Sequence, residues 1–196
     1  MSKTQIKSIL RSFIIVPLIA SSMSMSAFTA SINSVLADQK EQLLATEQEQ
    51  TPEEIALQQE REEKAAKIDA YFASNNMPLA GTGMKMVVAA EKYGLDWRLV
   101  AAMATMESSG GKHACKAYPE NAWGWNSCHS GLGGSTDAAI DLISQHLSGN
   151  HPKTAQYYAD KETIVGILQT YNPPRVRPDY ASKVMGIMKK IEDIKI

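Results

Sequence analysis

The stretch at residues 96–128, DWRLVAAMATMESSGGKHACKAYPENAWGWNSC, decides how this chain is read. Its first half is built from alanine, leucine, valine and methionine, with no proline, and that composition favours a helix over residues 97–108. Asp96 is placed to cap this helix, and Gly110-Gly111 ends it. Val100, Met103 and Glu107 fall at i, i+3 and i+7, so they share one face. That face is otherwise apolar, and the helix therefore carries a single carboxylate to the edge of a core. The second half is a loop rich in aromatic residues and closed between Cys115 and Cys128.

Working outward, the pattern on both sides is helical. Thr82 is placed to cap a helix through Tyr93, which Gly94 ends. Ser135 or Thr136 starts another near 137–148, with Ala139, Ile140, Ile143 and Leu147 at helical spacing. A short helix near 154–158 and one near 162–170 follow. Tyr171-Asn172-Pro173-Pro174 stops the latter, because proline cannot continue a helix. Asp179 then caps a final helix with Ala181, Val184, Ile187, Met188 and Ile191. Strand signals are nearly absent, although residues 116–134 leave room for a small hairpin. The expected fold is all-α: a small helical domain over 78–196 with one long loop.

Upstream, residues 1–37 read as an export signal. Lys3, Lys7 and Arg11 precede the short apolar run FIIVPLIA at 13–20, and Val35-Leu36-Ala37 before Asp38 fits a small-residue cleavage site. The chain is expected in the cell envelope, whether periplasm, cell wall or exterior. The alternative is an uncleaved anchor over 9–30 that tethers the protein to a membrane. Neither cysteine lies near this segment, which excludes a lipid-modified cysteine anchor. Residues 38–77 are rich in Glu, Gln, Lys and Ala and read as a charged helical stalk. Thr51, Pro52, Glu53 and Glu54 form a good helix start. Apolar residues thicken only toward Ile68, Tyr71 and Phe72, so the last turns are expected to dock on the domain. A partner-binding helix is the rival reading. No heptad seam is present, which favours a monomer. A net charge of −1 without a basic run gives no footprint for nucleic acid.

Partial burial and the negative end of its helix both raise the pKa expected for Glu107. A carboxyl that holds its proton near neutral pH suits a general acid. The plainer reading is a last-turn glutamate bonded to backbone or to Lys112. Cys115 and Cys128 are expected to pair, as is the default in an exported chain, and to stabilise by about 3 kcal/mol for a loop of this size. Zinc held by His113, Cys115, Cys128 and His129 is the rival, but the spacing does not converge tetrahedrally. Neither a metal nor a cofactor is expected. Tyr118, Trp123 and Trp125 offer aromatic faces suited to the axial C–H groups of sugars. One of the two tryptophans is expected to be buried and the other to face a groove. His146 and His151 are read as surface residues.

Tyr93-Gly94-Leu95-Asp96-Trp97-Arg98-Leu99-Val100-Ala101-Ala102, leading to Glu107-Ser108, resembles the core of the lysozyme-like superfamily, and most closely the bacterial lytic transglycosylases. Tyr171-Asn172, then Pro178-Asp179-Tyr180 and Val184, resembles that family's Tyr-Asn motif and last helix. Glu107-Ser108, Gly111-Lys112 and Asn121-Ala122-Trp123-Gly124 are also similar to a motif of cell-wall endo-β-N-acetylglucosaminidases. The resemblance spans residues 78–191. It implies a lysozyme-like fold acting on peptidoglycan glycan strands, with Glu107 and Tyr171 as catalytic residues. It also implies substrate contacts from Ser108, Tyr118, Asn121, Trp123, Gly124, Trp125, Asn126 and Asn172. Where transglycosylases usually have Gly-Leu-Met-Gln, this chain has Gly124-Trp125-Asn126-Ser127, so the glutamine is absent. Most glycosidases use two carboxylates. The sequence leaves Glu120, Asp137 and Asp141 as candidates for a second, or a one-carboxylate route that uses the substrate's own N-acetyl or 6-hydroxyl group. A non-catalytic wall-binding module and a zinc-stabilised interaction domain on a stalk are the rivals from other classes.

Overall fold

The structure, a computed structural model, describes residues 51–196. The expected export signal and the start of the stalk fall outside these residues. Helix α1 (Pro52–Ser74) begins as its sequence dictates, with a capping box. The Thr51 side chain accepts from the Glu54 N–H, and the Glu54 carboxylate accepts from the Thr51 N–H. Its first turns are solvated and carry Glu60–Lys64 and Glu63–Lys67 pairs at i, i+4. From Ala65 onward one face disappears into the protein, with Ile68 and Phe72 fully buried. The expected boundary between a stalk and a domain at 77/78 therefore does not separate two bodies. The C-terminal part of α1 belongs to the same core as the helices after it.

Helix α2 (Gly83–Tyr93) lies so close to α1 that a Cβ on Gly83 would collide with the Ala65 carbonyl. The expected Thr82 cap does not form, since the Thr82 hydroxyl donates to the Leu79 carbonyl. Asp69 of α1 takes over that task, and its Oδ1 accepts the N–H groups of Gly81 and Gly83, both at 2.8 Å. Helix α3 (Leu99–Ser108) is the central element, and Leu99 to Ala104 are buried on every side. The helix starts two residues later than its sequence suggests. Asp96 does not cap it but holds the Arg98 guanidinium and N–H, and Arg98 reaches on to Glu192.

Helices α4 (Thr136–Leu147), α5 (Ala155–Tyr158), α6 (Ile164–Tyr171) and α7 (Tyr180–Glu192) complete the described residues. Ser135 caps α4 and Thr163 caps α6 through their side chains. Asp179 does not cap α7 and instead pairs with Lys183. Helix α3 packs against α7, α2 and α4, while α7 also covers α1 and α6. Among the described residues there are seven α-helices and no strand. The region left open for a hairpin contains one isolated bridge, Cys115 to Tyr118. No helix among them is long and apolar enough to cross a membrane.

Candidate active site

Glu107 sits in the last turn of α3, where the chain leaves the helix in a left-handed reversal. Ser109 has φ +54° and Gly110 φ +63°. Gly110 is required twice over, since its φ suits glycine and a Cβ there would collide with the Met77 side chain. Ser108 is buried; its hydroxyl donates to the Ala104 carbonyl and accepts the Gly111 N–H at 2.9 Å. It clamps the turn and does not face the groove, contrary to its expected substrate role. Lys112 donates to the Asn75 carbonyl, so it is not the partner of Glu107.

The loop that follows is closed by the Cys115–Cys128 disulfide, with Cα atoms 5.4 Å apart. The sulfurs are bonded to each other and are not thiolate ligands. Asn121, expected at the substrate, is fully buried and holds the loop together. Its Nδ2 donates to the carbonyls of Trp125 and Ser130, and its Oδ1 accepts the Trp125 N–H. Trp123, also expected at the substrate, is fully buried and donates its indole N–H to the Val100 carbonyl at 2.9 Å. The Trp123 carbonyl in turn accepts from the Tyr171 hydroxyl. Tyr118 packs against Gly131 and stands outside the groove. Gly124 (φ +62°) passes directly over the acid, and a Cβ there would lie 3.9 Å from Glu107 Oε2. A tight 3-10 segment, Trp125–Cys128, follows, in which Asn126, Ser127 and Cys128 have φ of +54°, +50° and +61°.

These elements enclose a groove of about 850 Å³. Of the sequence candidates it gathers Glu107, Gly124, Trp125, Asn126, Tyr171 and Asn172. It leaves Ser108, Tyr118, Asn121 and Trp123 in supporting positions. It also brings in Leu142, His146, His151, Lys153, Tyr158 and Val176, which the sequence reading had not placed at the site. His146 is not a surface residue: it is buried, and its ring stacks on Trp125 at 4.6 Å. A ladder of rings runs along the groove. His151 lies 3.8 Å from His146, Trp125 lies 5.9 Å from Tyr171, and Tyr171 stacks on Tyr180 at 5.8 Å. The nearest sequence signal for Tyr180 was the Pro178-Asp179-Tyr180 motif. For His146 it was its place on the apolar side of α4, beside Ile143 and Leu147.

Burial raises the Glu107 carboxyl above its ordinary value, and the Tyr180 hydroxyl and the Arg177 guanidinium pull it partly back. Glu107 Oε1 and the Tyr180 hydroxyl oxygen are buried and make no hydrogen bond within the protein, as is true of Asn172 Oδ1. Tyr180 thus acts on the carboxyl from nearby without bonding geometry. Burial and the proximity of Glu107 hold the Tyr171 and Tyr180 hydroxyls protonated, so both are donors. Burial, His151 and Lys153 lower His146 to about 4, so its ring is neutral at physiological pH.

The other candidate acids are engaged elsewhere. Glu120 accepts the Leu132 N–H, Asp137 pairs with Lys85, and Asp141 takes Lys92 and the Tyr93 hydroxyl. Glu107 is the one carboxylate lining the groove among the described residues. The chain matches no family model, no curated protein and no solved structure. What the arrangement offers chemically is a half-buried carboxyl, its pKa raised by burial, in an aromatic groove with tyrosine hydroxyls beside it.

Proposed function

We propose that this protein cleaves the β-1,4 glycosidic bond between amino sugars of peptidoglycan, with Glu107 as general acid and then general base, by a lysozyme-like lytic transglycosylase mechanism. The observation that carries the reading is a lone groove carboxyl whose pKa burial raises, with no second carboxylate lining the groove among the described residues. A hydrolase with two carboxylates needs a second acid within reach of the sugar. With one, the nucleophile comes from the substrate. Glu107 delivers its proton to the leaving oxygen as the C–O bond breaks. The sugar's N-acetyl oxygen shields the cationic anomeric carbon. The 6-hydroxyl then attacks that carbon and returns its proton to Glu107, which closes a 1,6-anhydro ring without consuming water.

In this mechanism Trp125 supplies an apolar face for the sugar, and Asn126 and Asn172 supply amide groups at its edges. Tyr171 acts by position: tied to the Trp123 carbonyl, it forms the wall beside Glu107. The reading includes export to the cell envelope, and the disulfide suits an oxidising compartment. The test is clearance of purified peptidoglycan by wild type against Glu107→Gln, with mass spectrometry of the products. Anhydromuramyl ends support this mechanism, and reducing N-acetylglucosamine ends would assign an endo-β-N-acetylglucosaminidase instead. Equal clearance by the variant would remove Glu107 from the chemistry altogether.

A further inference from the structure

The groove is chemically lopsided. Glu107 and Tyr171 mark one region of it, while His146, His151 and Lys153 mark another, three ring contacts along the ladder from Tyr171 to His151. This second region holds no carboxylate and presents donors. Lys153 is exposed and forms no ion pair within the described residues. Its backbone N–H donates to His151 Nδ1 at 3.2 Å, which fixes that ring and leaves its proton on Nε2, as a second donor. His146 Nδ1 is engaged with the Thr154 hydroxyl at 3.0 Å, so the turn at 151–154 is anchored to α4. An ammonium and an imidazole N–H on an anchored turn, without an acceptor of opposite charge, form a recognition point for an anion.

We infer that the His151–Lys153 turn is a specificity subsite that binds a free carboxylate carried by the glycan, so that the groove distinguishes acidic wall glycan from neutral amino-sugar polymers. The inference rests on the glycan-cleaving reading above and adds to it the part of the substrate recognised away from the bond that is cut. A carboxylate on a wall strand has two sources: the lactyl carboxylate of a strand without peptides, or the free carboxylates of a peptide amide-linked to that lactyl group. The subsite chemistry is the same for both.

The experiment uses the full chain and three ligands of similar length: a neutral chito-oligosaccharide, a peptide-free muramyl strand, and a peptide-bearing strand. Binding is measured by calorimetry in the Glu107→Gln background, and turnover in the wild-type background, each with and without Lys153→Glu. The expected result is that the charge reversal weakens binding of an acidic strand by tenfold or more relative to the chito-oligosaccharide. The corresponding rise is in KM, with kcat little affected, and Lys153→Arg restores most of the preference. The acidic strand that shows the larger loss identifies the source of the carboxylate. Equal losses on acidic and neutral ligands, or none on either, would overturn the subsite while leaving glycan cleavage standing. Failure of the parent protein to bind all three would overturn both.

Discussion

Trp123 and Trp125 are two residues apart in the same loop, yet the structure gives them opposite tasks, and substitution should separate these. Trp123→Phe removes the donor to the Val100 carbonyl, which lies inside the central helix. That carbonyl keeps its helical partner, the Ala104 N–H, so what is lost is the second of its two hydrogen bonds, about 1 kcal/mol. The smaller ring leaves a void in a fully buried position, and that adds about 1 kcal/mol. Together the loss is about 2 kcal/mol, or a fall of about 7 °C in Tm for a domain of this size. The backbone carbonyl that holds Tyr171 survives, so the folded variant should keep its KM on wall glycan. Trp125→Ala reverses the pattern. It loses the stacked His146 contact and the sugar-facing surface, each worth about 1 kcal/mol, so KM should rise several-fold with a Tm change of only a few degrees. Thermal melts followed by circular dichroism, paired with a turbidity assay below the melt, give both readouts. If Trp123→Phe melted like wild type but raised KM, or Trp125→Ala melted far lower with KM intact, the assignment of core and groove would be reversed.

Three further expectations follow from the site. Glu107→Gln should reduce peptidoglycan clearance by about 10²–10⁴-fold, the range for removing a general acid. The same variant should be more resistant to denaturant than wild type at pH 8. Burial disfavours the charged carboxylate in the folded state, so the contribution of the protonated carboxyl is lost as pH rises through its raised folded value, whereas the glutamine stays neutral throughout. At pH 4 both states carry the proton, and urea midpoints of the two proteins should converge there. Replacing Cys115 and Cys128 together with serine should cost about 3 kcal/mol of stability and lower activity beyond what the melt accounts for, because the loop that frames Glu107 is no longer held. A variant with unchanged KM under non-denaturing conditions would mean that the loop keeps its shape without the crosslink.

The features legible in the sequence are those set by local chemistry. Thr51 and Ser135 start helices because each side chain reaches a backbone N–H in its own first turn. Glu107 could be placed on an apolar face because helical spacing alone fixes that geometry. Features set by tertiary approach were not legible. Thr82 and Asp179 are good caps by type, but Asp69 reaches across from α1 and Lys183 draws Asp179 away. The docking of α1 could be read from Ile68, Tyr71 and Phe72, but the charged composition around it hides that Ala65 already belongs to the core. Asn121, Trp123 and Tyr118 belong to residue types that bind sugars but are used here to build the loop. An irregular segment has no period from which to read the direction of a side chain. His146 was missed for a related reason: a titratable residue on α4 looks solvated until Trp125 covers it.

On the proposed function, the left-handed run at Asn126, Ser127 and Cys128 sets stability and substrate grip in opposition. A non-glycine residue held at such a φ costs roughly 1–2 kcal/mol, so three in succession cost about 3–6 kcal/mol, at least what the crosslink at the end of the run contributes. Glycine would relax the backbone at 126 or 127, yet those side chains line the groove. Any thermostabilising screen of this protein should therefore find glycine at these positions among its gains, and find it paired with weakened hold on the glycan. The loop keeps its side chains at the expense of an easier backbone, which is the pattern expected if the proposed substrate, more than the fold, sets its shape.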